Sequence, residues 1–127
     1  MVDEGERPDL DAWLAEVKAL PGAGDVGMYL CHNGVVRAHS RDGRAVSGMQ
    51  LSVDRARLAL AVEEAHRKKG VSVVRAWVNE GHLLVGDDIM YVLVGGDIRE
   101  HVFDALQSLV RAIKTEVVAE MEERPSS

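Results

Sequence analysis

The sequence predicts an α+β domain, a mainly antiparallel sheet with helices packed on one face, and two observations carry that reading. Apolar residues run at strand-like spacing from Gly27 to Arg37, from Ala45 to Val53 and from Val71 to Val94, and change to helical spacing from Asp54 to Lys69 and from Arg99 to Val118. The strand-like runs are joined by short turn signals, Asn33-Gly34, Asn79-Glu80-Gly81 and Gly86-Asp87-Asp88, which suit hairpins and not the long crossovers of a doubly wound parallel sheet. A length of 127 residues fits one domain, 1–127, with 1–8 and 119–127 expected to be flexible.

The first element expected is a short amphipathic helix, because Leu10, Trp13, Leu14, Val17 and Leu20 come after Pro8-Asp9 at helical spacing and Pro21-Gly22 stops them. Gly27 to Arg37 reads as strand, kink, strand, with Asn33-Gly34 as a turn or a bulge. Val46, Met49, Leu51 and Val53 alternate imperfectly and give a third strand. From Asp54, Leu58, Ala61, Val62 and Ala65 recur at i, i+3, i+4, i+7, and Gly70 ends that helix. Val71 to Val78 is a strand; Asn79-Glu80-Gly81 turns it and Leu83 to Val85 begins the return. Ile89 to Val94 is the most β-prone run and is expected to be central, ending at Gly95-Gly96-Asp97. The last helix carries Val102, Phe103, Leu106, Leu109, Val110, Ile113 and Val117 on one stripe.

Composition narrows the function classes. Net charge is −6, which argues against general affinity for nucleic acid or an anionic membrane surface, so an anionic ligand needs a local basic pocket. The single cysteine, Cys31, permits no internal disulfide and suits a reducing compartment; it reads as a small buried apolar residue. No apolar run approaches the ~20 residues that span a bilayer. The acidic start, Met1 to Arg7, is unlike a secretory signal, and a cytoplasmic protein is expected.

Four residues stand out as candidates for chemistry. Arg37 ends a strand after a Gly-containing bend, where its planar fork either meets a phosphate or carboxylate or simply faces water. His39, two residues on, shares its strand face and either completes a small basic cluster or is a surface histidine. Arg99 opens the last helix, where side chain and free N–H groups together suit an anion; the alternative is an ordinary first-turn arginine. Lys114 flanks the apolar stripe of that helix, so it is either a partly buried base, acid or nucleophile or a lysine whose stem covers the core. The histidines His32, His39, His66, His82 and His101 show no zinc-site spacing, and no metal or cofactor is expected.

Three blocks then fall in a recognisable order: Gly34-Val35-Val36-Arg37-Ala38-His39, Gly81-His82-Leu83-Leu84-Val85-Gly86-Asp87 and Ile113-Lys114-Thr115. Together they resemble the large, catalytic subunit of molybdopterin synthase over the stretch from Val26 to Glu123. The resemblance implies an α/β-hammerhead fold, a homodimer, and a small ubiquitin-like sulfur-carrier subunit as partner. The carrier's thiocarboxylated Gly-Gly tail delivers sulfur to cyclic pyranopterin monophosphate, and two transfers make the dithiolene of molybdopterin. It also implies roles: Lys114 falls on the lysine central to sulfur transfer, and Arg37 and Arg99, with His39 beside the first, on residues of the phosphate and pterin pocket. Edges of the Ile89 to Val94 run and its neighbours are where a symmetric partner is expected.

The chain departs from the family pattern at identifiable places. His32 replaces a phenylalanine, Ile98 a histidine, and Val78-Asn79 a His-Arg pair. Val118-Ala119-Glu120-Met121 stands where the family has Pro-x-Trp-Lys, so Met121 occupies the position of a second catalytic lysine. A thioether neither takes up a proton nor forms an amide. The alternative reading is therefore a non-catalytic homologue that binds a pterin or a sulfur-carrier tail.

Overall fold

The computed structural model describes residues 1–126. Seven strands, β1 (Val2–Asp3), β2 (Met28–Val35), β3 (Gly48–Val53), β4 (Val71–Val78), β5 (Gly81–Leu84), β6 (Asp88–Gly96) and β7 (Val118–Glu123), are arranged with three helices, α1 (Leu10–Lys18), α2 (Arg55–His66) and α3 (Arg99–Ala112). A four-stranded sheet has the order β1-β4-β6-β2 and a three-stranded sheet the order β5-β3-β7. Every pairing is antiparallel except β1 with β4. The α+β architecture with antiparallel-dominated sheets is the one the sequence predicts.

Side-chain alternation sorts the large sheet into two buried faces. Val74, Ala76 and Val78 of β4 and Met90, Val92 and Val94 of β6 join the core that holds Leu58 and Val62 of α2 and Val102 and Leu109 of α3. Both long helices therefore lie on one face, as expected. Val73, Trp77, Tyr91 and Leu93 point the other way and are covered by Trp13 and Val17 of α1. Each large aliphatic side chain so buried contributes about 1.5–3 kcal/mol. The helices start where capping chemistry places them: Asp9 accepts from the N–H groups of Asp11 and Ala12, and Asp54 from that of Arg57.

Four expectations need correction. Ile89 to Val94 is interior, paired to β4 on one side and β2 on the other, and so offers no edge to a partner. β5 does not return along β4; it pairs with β3 in the second sheet. Cys31 is exposed, because its neighbours Leu30 and His32 take the side facing α3. The terminal segments are held. Residues 1–8 are fastened by the β1–β4 pairing, by Trp77 Nε1 donating to Gly5 O at 3.0 Å, and by the Arg7–Asp88 ion pair at 3.1 Å. Val118 to Glu123 is paired along its whole length to β3, so backbone hydrogen bonds override the poor strand propensity of Glu120, Glu122 and Glu123. Of the tail, Ser127 lies outside the described residues.

The last helix also ends differently from the prediction. α3 stops at Ala112 and widens into a π-helical turn, Ile113–Val117, before the chain enters β7. Ile113 and Val117 both stay in the core, and Lys114 is turned outward between them. Such widened turns recur at functional sites.

Candidate functional site

Where the two sheets meet, a cleft of about 610 Å³ opens between the end of β2, the loop after it, β3, the start of β6, the π-turn and β7. A bulge between Gly34 and Val35 shifts the register of β2 against β6 and fixes which way the next residues face. Val36 is buried, its N–H donating to Asp87 O at 3.0 Å and its carbonyl accepting from Gly86 N at 2.9 Å. With Val36 fixed inward, Val35, Arg37 and His39 line the cleft at alternate positions. Lys114 lines it from the π-turn. Three of the four candidate residues, Arg37, His39 and Lys114, thus share one cleft.

Arg99 does not join them. It sits at the first position of α3 and Lys114 just beyond the last, a separation of about 22 Å at 1.5 Å per residue. One N–H at this helix start is already taken by a protein carboxylate. Asp97 Oδ1 accepts from the Ile98 N–H and from His101 Nδ1, each at 2.7 Å, and these donors hold the Asp97 carboxyl below its ordinary range, that of His101 foremost.

The loop from Ser40 to Arg44 folds on itself. Gly43 has φ +85°, Ser40 N donates to Arg44 O at 2.9 Å, and Asp42 accepts from the Arg44 backbone N–H at 3.1 Å and from its Nε at 2.7 Å. Together with the Ser40 hydroxyl, the first cause, these bonds push the Asp42 carboxyl far below the carboxylate range. Asp42 thereby neutralises Arg44, whereas Arg37, Arg41 and Lys114 have no ion pair among the described residues. Alternate residues of β7, Val118, Glu120 and Glu122, face the cleft, and Arg124 just beyond the strand closes its rim.

Behind the cleft, His32 is half-buried on the face of β2 that meets α3, and its Nε2 is buried without a hydrogen-bond partner. Burial, then the charge of Lys114, lower its pKa and favour the neutral ring.

Arg41, Arg44, Arg124, Glu120 and Glu122 were not legible as site residues from the sequence. Their only signal is the alternation of charge through Glu120, Glu122 and Arg124, which becomes visible once Val118 to Glu123 is read as a strand.

Known proteins share this fold. No curated protein matches the chain. Among solved structures it is similar to molybdopterin cofactor biosynthesis protein E from Burkholderia multivorans, with 20% identity, a TM-score of 0.74 and coverage of 99% of this chain and 90% of that one. It is similar to molybdopterin synthase from Staphylococcus aureus, with 18% identity, a TM-score of 0.69 and coverage of 80% and 77%. A third likeness is to the complex of subunits 1 and 2 of molybdopterin-converting factor from Helicobacter pylori, with 20% identity, a TM-score of 0.69 and coverage of 89% and 74%. These identities establish the fold. The model of the MoaE protein family matches residues 5–116, nearly the whole chain, and the chain belongs to that family.

Proposed function

We propose that this chain is the large subunit of a molybdopterin synthase, transferring sulfur from a thiocarboxylated ubiquitin-like carrier to cyclic pyranopterin monophosphate. The observation that carries the reading is the shared cleft of Arg37, His39 and Lys114 in a family member whose net charge is −6. Unpaired cations gathered in an acidic protein repel one another, and an anionic ligand relieves that repulsion. Arg37 offers a planar fork to a phosphate, with His39 beside it. The Lys114 ammonium pairs with an anionic thiocarboxylate and exchanges protons with the reacting atoms. A protein complex of two subunits, as in the Helicobacter pylori structure, is the assembly this reading requires.

Arg99 can serve the same ligand only from a second copy of the chain, because the length of α3 separates it from Lys114. The homodimer is therefore part of this proposal, and a mass of 13.9 kDa by light scattering at micromolar concentration would refute it.

A second reading, a non-catalytic binder of a pterin or of a carrier tail, is favoured by Met121, which is 70% exposed and does not line the cleft. Mixing the purified chain with thiocarboxylated carrier and cyclic pyranopterin monophosphate separates the two. The synthase yields dithiolene; the binder retains pterin or carrier and yields none.

A further inference from the structure

The cleft is lined by five basic side chains, Arg37, Arg41, Arg44, Lys114 and Arg124, against three carboxylates, Asp42, Glu120 and Glu122. Arg124 is the one whose placement is unlike the rest. Val118, Glu120, Glu122 and Arg124 lie on the cleft side of the last strand and its extension, while Met121 pairs with exposed Gln50 and turns away. Met121 therefore contributes nothing to the cleft in this chain. Arg124 is the first cationic side chain on the cleft-facing row.

Its attachment leaves it available. One terminal nitrogen donates to Ala45 O at 3.1 Å and to Ser40 Oγ at 3.4 Å; the other makes a loose ion pair with Glu122 at 3.6 Å, too long for a firm hydrogen bond. A guanidinium has five N–H donors, and the side chain is 36% exposed, so donors remain free beside a loop that also presents the unpaired Arg41.

We propose that Arg124 is an anion-binding residue of the cleft, holding a phosphate-class group while it ties the Ser40–Arg44 loop to the end of β7. It supplies the cationic charge that the last strand would otherwise lack. The inference rests on the cleft being the binding site of the proposed synthase.

The test is calorimetric titration of the full chain with inorganic phosphate at low ionic strength, comparing Arg124→Gln, Arg124→Lys and Arg124→Gln combined with Met121→Lys. Glutamine keeps a donor for Ala45 O and removes the charge. Phosphate affinity is expected to fall about 10- to 100-fold in Arg124→Gln, the loss of a charge-assisted hydrogen bond. Arg124→Lys should recover most of it, and Met121→Lys none. In turnover with carrier and pterin, Arg124→Gln should raise KM and leave kcat nearly unchanged, which a purely structural role would not produce. Phosphate binding by Arg124→Gln within about twofold of the unaltered chain, recovery by Met121→Lys, or no phosphate binding by the unaltered chain overturns the inference. Loss of phosphate binding as expected, in a chain that makes no dithiolene, upholds Arg124 and removes the synthase reading instead.

Discussion

Replacing Lys114 with methionine removes the ammonium and keeps most of the stem, so charge is tested with little change in packing. Lys114 is exposed and has no ion pair among the described residues, while Ile113 and Val117 on either side anchor the π-turn in the core. Stability should therefore change by no more than about 0.5 kcal/mol. If Lys114 transfers protons at the reacting atoms, dithiolene formation under saturating substrate should fall about 10²- to 10⁴-fold, or roughly 2.7 to 5.4 kcal/mol of barrier. If it only holds an anion, the loss is about 1.5–3 kcal/mol and lies in KM. A second readout does not depend on turnover. Lys114 is one of the two causes that keep His32 neutral, burial being the larger, so the variant should move the His32 titration up toward the ordinary value of 6.5 without reaching it. Single-turnover kinetics and histidine NMR measure the two effects. A transfer rate within about threefold of the unaltered chain, with an unmoved His32, would refute both the catalytic assignment and the placement of Lys114 beside His32.

The same geometry gives three further outcomes. Ile113→Ala should destabilise the chain by about 2–5 kcal/mol in urea unfolding, because a fully buried side chain is lost beneath the turn that aims Lys114. Arg75→Ala should lower stability by about 2 kcal/mol and free the N-terminal strand for hydrogen exchange. Arg75 pairs with Asp3 at 2.9 and 3.0 Å, bonds Glu16 and stacks 4.8 Å from the Trp13 ring, tying β1 and α1 to β4. The depressed His32 pKa gives a pH effect of definite sign: the unfolded chain takes up the proton first, so stability falls as pH drops below 6.5 through the lowered folded value. His32→Phe should abolish that component in denaturation curves recorded across the same range.

The long periodic stretches were legible because burial on a helix or strand leaves a period in the sequence. Leu58, Ala61, Val62 and Ala65 marked α2, and the apolar run at Ile89 marked a strand paired on both sides. The cleft was half legible. Arg37 and His39 could be placed on one face from their spacing alone, since a strand repeats every two residues. The convergence of Arg99 with Lys114 was not, although helix rise already forbids it within one chain. The last strand escaped because nothing in its composition favours a strand. Three glutamates in six residues resemble a solvated tail, and only the partner strand Gly48–Val53, some seventy residues upstream, makes them a sheet edge. Non-local pairing leaves no local signal, so the residues it delivers to the cleft, Glu120, Glu122 and Arg124, were missed together.

The charge pattern of the cleft bears on why it keeps three cations unpaired. Asp42 bonds Arg44 and Glu122 pairs with Arg124, yet Arg37, Arg41 and Lys114 face the cleft with no ion pair among the described residues. Folding alone would favour pairing them, since the chain has carboxylates in excess, 21 acidic against 15 basic residues. Repulsion among cations within a Debye length of about 8–10 Å opposes the folded state and is only partly screened by salt. A bound dianion converts that repulsion into attraction, so the same arrangement that weakens the empty fold strengthens the occupied one. The three unpaired cations therefore point to a ligand more than to the architecture, and the neutral, unpartnered His32 behind Lys114 adds no further charge to the cluster.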